Sequence, residues 1–237
     1  MTTIADEQRW REVSAEHGTA ALRHTHWLDA TPRALEGSPG VWWAGDGMVH
    51  GRGLGEGEIA LAPFQQVRAG RLLLRAFARD GALALRVYDP DNPSRLALRG
   101  IASYPYDDAW VIAGRFVPAA DGARRTVRSV DGHETAVSAT GSVALELDGV
   151  PAQLTVSGDA GRGLSAVIAD GTAGDDAYPF RFLPLDAPDA DGRVTVDFNR
   201  AYLPPCAFSD QYVCPLPPPE NRLPVAITAG ERRALRD

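Results

Sequence analysis

Arg71-Leu-Leu-Leu-Arg-Ala-Phe-Ala-Arg-Asp80-Gly81-Ala-Leu-Ala-Leu-Arg-Val-Tyr88 decides the fold. Two apolar-rich, β-prone runs, 71–78 and 82–88, meet at Asp80-Gly81. A tight hairpin turn needs positive φ at its central residues, which Asp tolerates and Gly adopts without steric cost. Asp-Gly recurs at Asp46-Gly47, Asp121-Gly122, Asp131-Gly132, Asp148-Gly149, Asp170-Gly171 and Asp191-Gly192, several of these pairs lying between short β-prone runs. The same unit is expected in 124–130 with 134–140, and in 142–147 with 153–157. Further strands are expected at 110–117, 164–169, 179–183, 193–198 and 225–228. Short strands at this spacing predict a mainly β protein, an antiparallel sandwich or open barrel built from hairpins. No long helical period follows Gly18, so the helical crossovers of an α/β sheet are not expected.

The two ends depart from this pattern. Residues 1–18 read as a short amphipathic helix: Thr3 can cap with Asp6, Trp10 and Val13 share a face, and Gly18 is a stop. Near the other end stand Pro204, Pro205, Pro215, Pro217, Pro218, Pro219 and Pro224. Each fixes φ and lacks a backbone donor, which rules out a regular helix or a central strand. Tyr202, Phe208, Tyr212, Leu216 and Leu223 interleave with them and offer area to bury, so a strap packed on the sheet is expected rather than a loose tail. The chain then reads as one compact β-rich unit, 1–237, with the helix at 1–18, a β core over 41–198 and the strap over 199–237.

Composition narrows the function classes. Hydrophobic residues make up 44% and charged residues 23% of the 237 residues, an ordinary globular balance. The net charge of -7 argues against nucleic acid, whose phosphates need a cationic face. Arginine supplies all the basic side chains, and lysine is absent. That removes a Walker-type phosphate loop, a Schiff-base lysine and a lysine general base. The clusters Arg124, Arg125, Arg128 and Arg232, Arg233, Arg236 read as solvated turn and tail charges. No apolar leader or membrane-length window occurs, so a cytoplasmic protein with no membrane partner is expected. The run Gly51-Arg-Gly-Leu-Gly-Glu-Gly57 has Glu56 where a dinucleotide fingerprint needs Gly, and reads as a flexible connection. No organic cofactor is expected.

Asp197-Phe-Asn-Arg-Ala-Tyr-Leu-Pro-Pro-Cys206, continuing through Cys214-Pro-Leu-Pro-Pro-Pro-Glu220-Asn221-Arg222 to Gly230, resembles the signature of domain-of-unknown-function family 1684. Asp170-Gly-Thr172-Ala-Gly174, Tyr178 and Arg181-Phe-Leu resemble its Asp-x-Thr-Ser-Gly…Tyr…Arg segment. Arg86-Val-Tyr-Asp89, Pro93, Arg95 and Tyr104-Pro105 are similar to its central region. Leu203 stands where the pattern usually has Asn, and Ala173 where it has Ser. The family carries no assigned activity, so the resemblance implies kinship and not chemistry.

The residues themselves place the candidate site around 197–224. Asp170, Tyr178, Arg181, Asp197 and Cys206 are the candidate catalytic groups. Asn199, Tyr202, Glu220, Asn221 and Arg222 are the candidate ligand-binding groups. An arginine fork beside carboxylates can take a carboxylate or phosphate, and a buried carboxyl can serve as a general acid or base. The same groups can equally satisfy the backbone of a proline segment that lacks ladder partners. Cys206 and Cys214 are open to four readings: a catalytic or redox thiol, half of a metal site, buried packing residues, or a local bridge closing a small loop, which the spacing permits and a cytoplasmic setting disfavours. His24 and His26 share a strand face, which suits a metal, yet no metal ligand set is assigned. The leading expectation is a small-molecule enzyme, hydrolase- or lyase-like, with an Arg/Asp/Tyr pocket for an anionic small molecule. The alternatives are a noncatalytic ligand- or protein-binding β module, or a metal-binding protein.

Overall fold

The computed structural model describes residues 4–55 and 57–237, and for 4–6 the backbone alone. The Thr3–Asp6 capping pair lies outside the described residues. The contacts cluster into two compact units: Met1–Arg99 with Phe208–Tyr212 and Arg236–Asp237, and Gly100–Ala207 with Val213–Leu235.

The first unit opens with helix α1 (Ile4–Ser14), whose Val13 is fully buried. Eight strands follow: β1 (Leu22–Leu28), β2 (Arg33–Leu35), β3 (Ser38–Gly45), β4 (Met48–Arg52), β5 (Glu58–Leu61), β6 (Gln66–Ala69), β7 (Leu72–Arg79) and β8 (Ala82–Tyr88). They form two four-stranded antiparallel sheets, in the orders β1-β8-β7-β6 and β2-β3-β4-β5. Trp42, Val49, Leu74, Leu85 and Val87 share one core. Asp80 and Gly81 both take positive φ between β7 and β8, as do Asp46 and Gly47 between β3 and β4. The hairpins therefore close in the geometry that Asp-Gly encodes.

Gly51 and Arg52 belong to strand β4 rather than to a loose connection. A Cβ on Gly51 would stand 2.5 Å from the Trp42 ring, so the glycine makes room for the aromatic side chain opposite it in the ladder. Gly53, Leu54, Gly55 and Gly57 lie outside the strands, and β5 follows them.

After the one-turn helix α2 (Pro93–Leu96) come β9 (Leu98–Ser103), β10 (Val111–Pro118), β11 (Arg124–Arg128), β12 (Glu134–Ser138), β13 (Gly141–Leu147), β14 (Val150–Asp159), β15 (Gly163–Ile168), β16 (Arg181–Leu185), β17 (Arg193–Asp197) and β18 (Glu231–Arg236). The second unit is built on a six-stranded antiparallel sheet that curls into half a barrel, in the order β16-β15-β14-β13-β10-β17. β11 and β12 form a separate hairpin, and β9 pairs with β18. Leu223, Ile227 and Ala229 of the strap enter the same core as Leu154, Ile168, Leu183 and Val196 of the sheet. The proline-rich segment is thus docked, as its interleaved apolar residues predict.

Two expectations fail at this end of the chain. Residues 225–228 form no strand, and the last strand is β18 instead. Arg232 and Arg236, expected as solvated tail charges, are engaged: Arg232 pairs with Asp176, and Arg236 donates 3.0 Å to the Phe208 carbonyl.

Candidate functional site

Asp170 lies two residues beyond the end of β15 and Arg181 begins β16, next to each other across an antiparallel pair that aligns Ile168 with Arg181. Both side chains are almost wholly removed from solvent and form an ion pair at 2.5 Å. Arg181 Nη2 also donates 3.1 Å to the Ile227 carbonyl, and Nη1 donates to the carbonyls of Ala229 and Glu231. Asp170 Oδ1 accepts from the Ile227 amide at 3.2 Å and from the Thr172 amide and hydroxyl. Within 225–228, which forms no strand, the Ile227 amide and carbonyl bond to Asp170 and Arg181 and the Val225 carbonyl accepts from the Gly171 amide, so buried backbone groups are satisfied without a neighbouring strand.

Asn221 works in the same way. Fully buried, it accepts 2.7 Å from the Thr155 amide and donates to the carbonyls of Thr155 and Val167 at 2.9 and 2.8 Å. Gly171 sits where a Cβ would meet the Ala226 amide at 2.9 Å and the Pro224 carbonyl at 3.0 Å. Its glycine serves the close passage of the strap and not a hairpin turn. Asp197 caps the 3₁₀ turn Phe198–Arg200 through the Asn199 amide, and Asn199 bonds both backbone groups of Asp107.

Tyr178, Tyr202 and Cys206 form a second grouping. The Tyr178 hydroxyl donates 3.7 Å to the Cys206 sulfur. Rings continue from Tyr178 through Phe180 and Phe182 to Tyr202, with centroids 5.6, 6.4 and 5.7 Å apart. Cys206 is half-buried and Cys214 is buried, both as free thiols. A hydrogen bond with the Cys214 thiol holds Cys206 below the usual thiol range, Tyr178 acts in the same direction, and burial opposes both. Close by in sequence, the Tyr104 hydroxyl and Arg232 share the Asp176 carboxylate. The Tyr104 bond, reinforced by Arg232, keeps that carboxyl below the usual carboxylate range.

Glu220 and Arg222 are exposed and border shallow cavities of the second unit. The larger, about 390 Å³, is lined by Arg125, Ser142, Thr155, Pro219 and Glu220 among others. Arg125 is no solvated turn charge. Strand β11 alternates exposed and half-buried positions, and Arg125 and Val127 point to its covered side. Arg125 Nη2 bonds the Ser157 hydroxyl, while its Nε is shut off from solvent without a hydrogen-bond partner. Burial depresses its pKa, with the Glu220 carboxylate working the other way. Period-two alternation within 124–128 is the signal in the sequence that separates Arg125 from Arg124 and Arg128.

His24 and His26 stack at 5.2 Å on β1, and His26 bonds the Glu36 carbonyl. Among the described residues no group of three or more His, Cys, Asp or Glu side chains gathers as a metal would require. No described helix is long and apolar enough to cross a membrane.

Fold and site together define a mainly β, antiparallel protein whose C-terminal proline strap is held by buried polar side chains. Residues 97–232, more than half of the chain, match the family described as protein of unknown function (DUF1684), and the chain belongs to that family. An uncharacterised protein of Haloarcula marismortui, solved by solution NMR, is 31% identical over 56% of this chain and 76% of that one, with a TM-score of 0.46. No curated protein matches.

Proposed function

We propose that the protein is a ligand-binding β module, and that the cavity walled by Arg125, Ser142, Thr155 and Glu220 takes a small molecule with a carboxylate or phosphate group. The observation that carries this reading is the Arg125 guanidinium, whose buried Nε meets no acceptor in the protein. The guanidinium lines the cavity, and its planar fork suits a carboxylate or phosphate that enters there. The cavity, about 390 Å³, falls within the range of small-molecule sites, and its apolar wall of Val117, Ala139 and Pro218 suits the ligand's body. The catalytic candidates Asp170, Arg181 and Asp197 spend their hydrogen bonds on backbone, on one another, or on the side chains of Thr172 and Asn199, which favours binding over catalysis.

The test is a thermal-shift and calorimetric screen of the full chain against small carboxylates and phosphate monoesters. At least one class should raise the melting temperature. The Arg125→Gln variant should fold and lose about tenfold or more in affinity. A parent protein that responds to no member, or a variant that binds as tightly as the parent, would remove the proposal.

A further inference from the structure

The ligand cavity leaves the two thiols unused. Cys206 and Cys214 are the only cysteines of the chain and both lie in the second unit. Their thiols are hydrogen-bonded to each other, and the Tyr178 hydroxyl stands 3.7 Å from the Cys206 sulfur. Each cysteine is held by backbone that does not depend on its neighbour. Cys206 sits in the 3₁₀ turn Pro205–Ala207, closed by the Ala207 amide on the Pro204 carbonyl. The Cys214 carbonyl accepts 2.9 Å from the Val130 amide, and Leu216 beyond it donates 2.8 Å to the Arg128 carbonyl. The thiols are therefore kept together by the fold and not by chance encounter of a loose loop.

We propose that Cys206 and Cys214 form a peroxide-oxidised dithiol, with Cys206 attacking, Cys214 resolving, and a reversible disulfide as the product. The asymmetry of exposure assigns the roles: Cys206 is half-buried and Cys214 is buried. A half-buried sulfur admits a small oxidant more readily than a bulky disulfide, which favours hydrogen peroxide. Hydrogen bonds from Cys214 and Tyr178 stabilise the Cys206 thiolate, the form that reacts. In the first step the thiolate sulfur attacks one peroxide oxygen. An S–O bond forms, the O–O bond breaks, and the departing hydroxide takes up a proton to become water. In the second step Cys214 sulfur attacks the Cys206 sulfenic acid. The S–S bond forms, the S–O bond breaks, and hydroxide leaves with the Cys214 proton as a second water. Two thiols lose two electrons in total and one peroxide gains them.

The full chain is treated with hydrogen peroxide and its thiols are counted by alkylation, with intact-mass analysis and peptide mapping. The expected result is loss of both thiols, a Cys206–Cys214 cross-link, and full recovery with dithiothreitol. Cys214→Ser should stop at a Cys206 sulfenic acid that dimedone captures. Tyr178→Phe should react roughly threefold to tenfold more slowly near neutral pH and move its rate–pH profile to higher pH, the shift expected of a lost thiolate donor. Two outcomes overturn the proposal: both thiols survive excess peroxide in the native protein, or Cys206 oxidises without a cross-link. Because the cross-link is read directly in the unsubstituted protein, neither outcome depends on a variant that fails to fold.

Discussion

At the scale of single residues, Asp170 and Arg181 matter most. A buried ion pair can often be exchanged for well-packed apolar side chains without loss, since desolvation consumes much of the Coulombic gain. Here that exchange should fail. The same two side chains occupy the Ile227 amide and the carbonyls of Ile227 and Ala229, which an apolar pair would leave unsatisfied. Asp170→Asn strands the buried guanidinium and is expected to cost about 3–5 kcal/mol in urea unfolding. The double variant Asp170→Leu/Arg181→Met should recover little of that loss. A double variant as stable as the parent would show that the strap does not need these bonds. The identity of these residues as a polar centre was legible in the sequence, in Asp170-Gly-Thr172 and Arg181. Their partners were not, because the backbone they satisfy lies 46 to 57 positions away and carries no side-chain signature.

Among the elements, the hairpins were the most legible. Asp-Gly fixes positive φ locally, so a pair such as Asp148-Gly149 announces its turn whatever lies elsewhere in the chain. Asp170-Gly171 shows where that logic ends. The same dipeptide is used there for an ion pair and a close backbone passage, and only tertiary structure separates the two uses. Strand β18 escaped for a similar reason. Glu231-Arg-Arg-Ala-Leu-Arg has little β propensity, and it becomes a strand through pairing with β9. Strand β4 gives a test of how tightly a ladder can specify a glycine. Trp42 is fully buried, donates 2.8 Å to the Pro39 carbonyl, and lays its ring over Gly51. A methyl group at Gly51 must displace that ring or the strand, since the clash is with a packed aromatic and not with a flexible tip. Gly51→Ala is therefore expected to destabilise by about 1–3 kcal/mol, even though alanine has the lower backbone entropy cost. The measurement is chemical denaturation followed by tryptophan emission, and a neutral or stabilised variant would mean that the ring relaxes freely.

Over the whole molecule, the perturbed histidine and aspartate titrations all lean one way. Burial, with the charge of His26 beside it, holds His24 below its ordinary 6.5, against the pull of Glu36. Asp29 lies below its ordinary 3.8 through the Thr31 amide and Arg33. Burial pulls Asp89 upward, but the Asp91 amide and Arg23 together outweigh it and leave that carboxyl low as well. Asp176 completes the set in the second unit, through Tyr104 and Arg232. When a group's folded pKa is depressed, the unfolded chain takes up the proton first, so stability is present above the ordinary value and is lost as pH falls through the folded one. Two declines should follow on acidification. The first begins near the ordinary His24 value of 6.5 and belongs to the first unit, whose Trp27, Trp42 and Trp43 report on it. The second begins near the ordinary aspartate value of 3.8 and draws on both units. Replacing His24 by Gln removes the titrating ring from beside Gly37, where the imidazole packs, and should flatten the upper decline while leaving the lower one in place. Melting temperatures taken from about pH 7.5 down to about pH 3, a span that brackets both ordinary values, would decide it on parent and His24→Gln protein. An upper decline that persists unchanged in the variant would exclude His24 as its source.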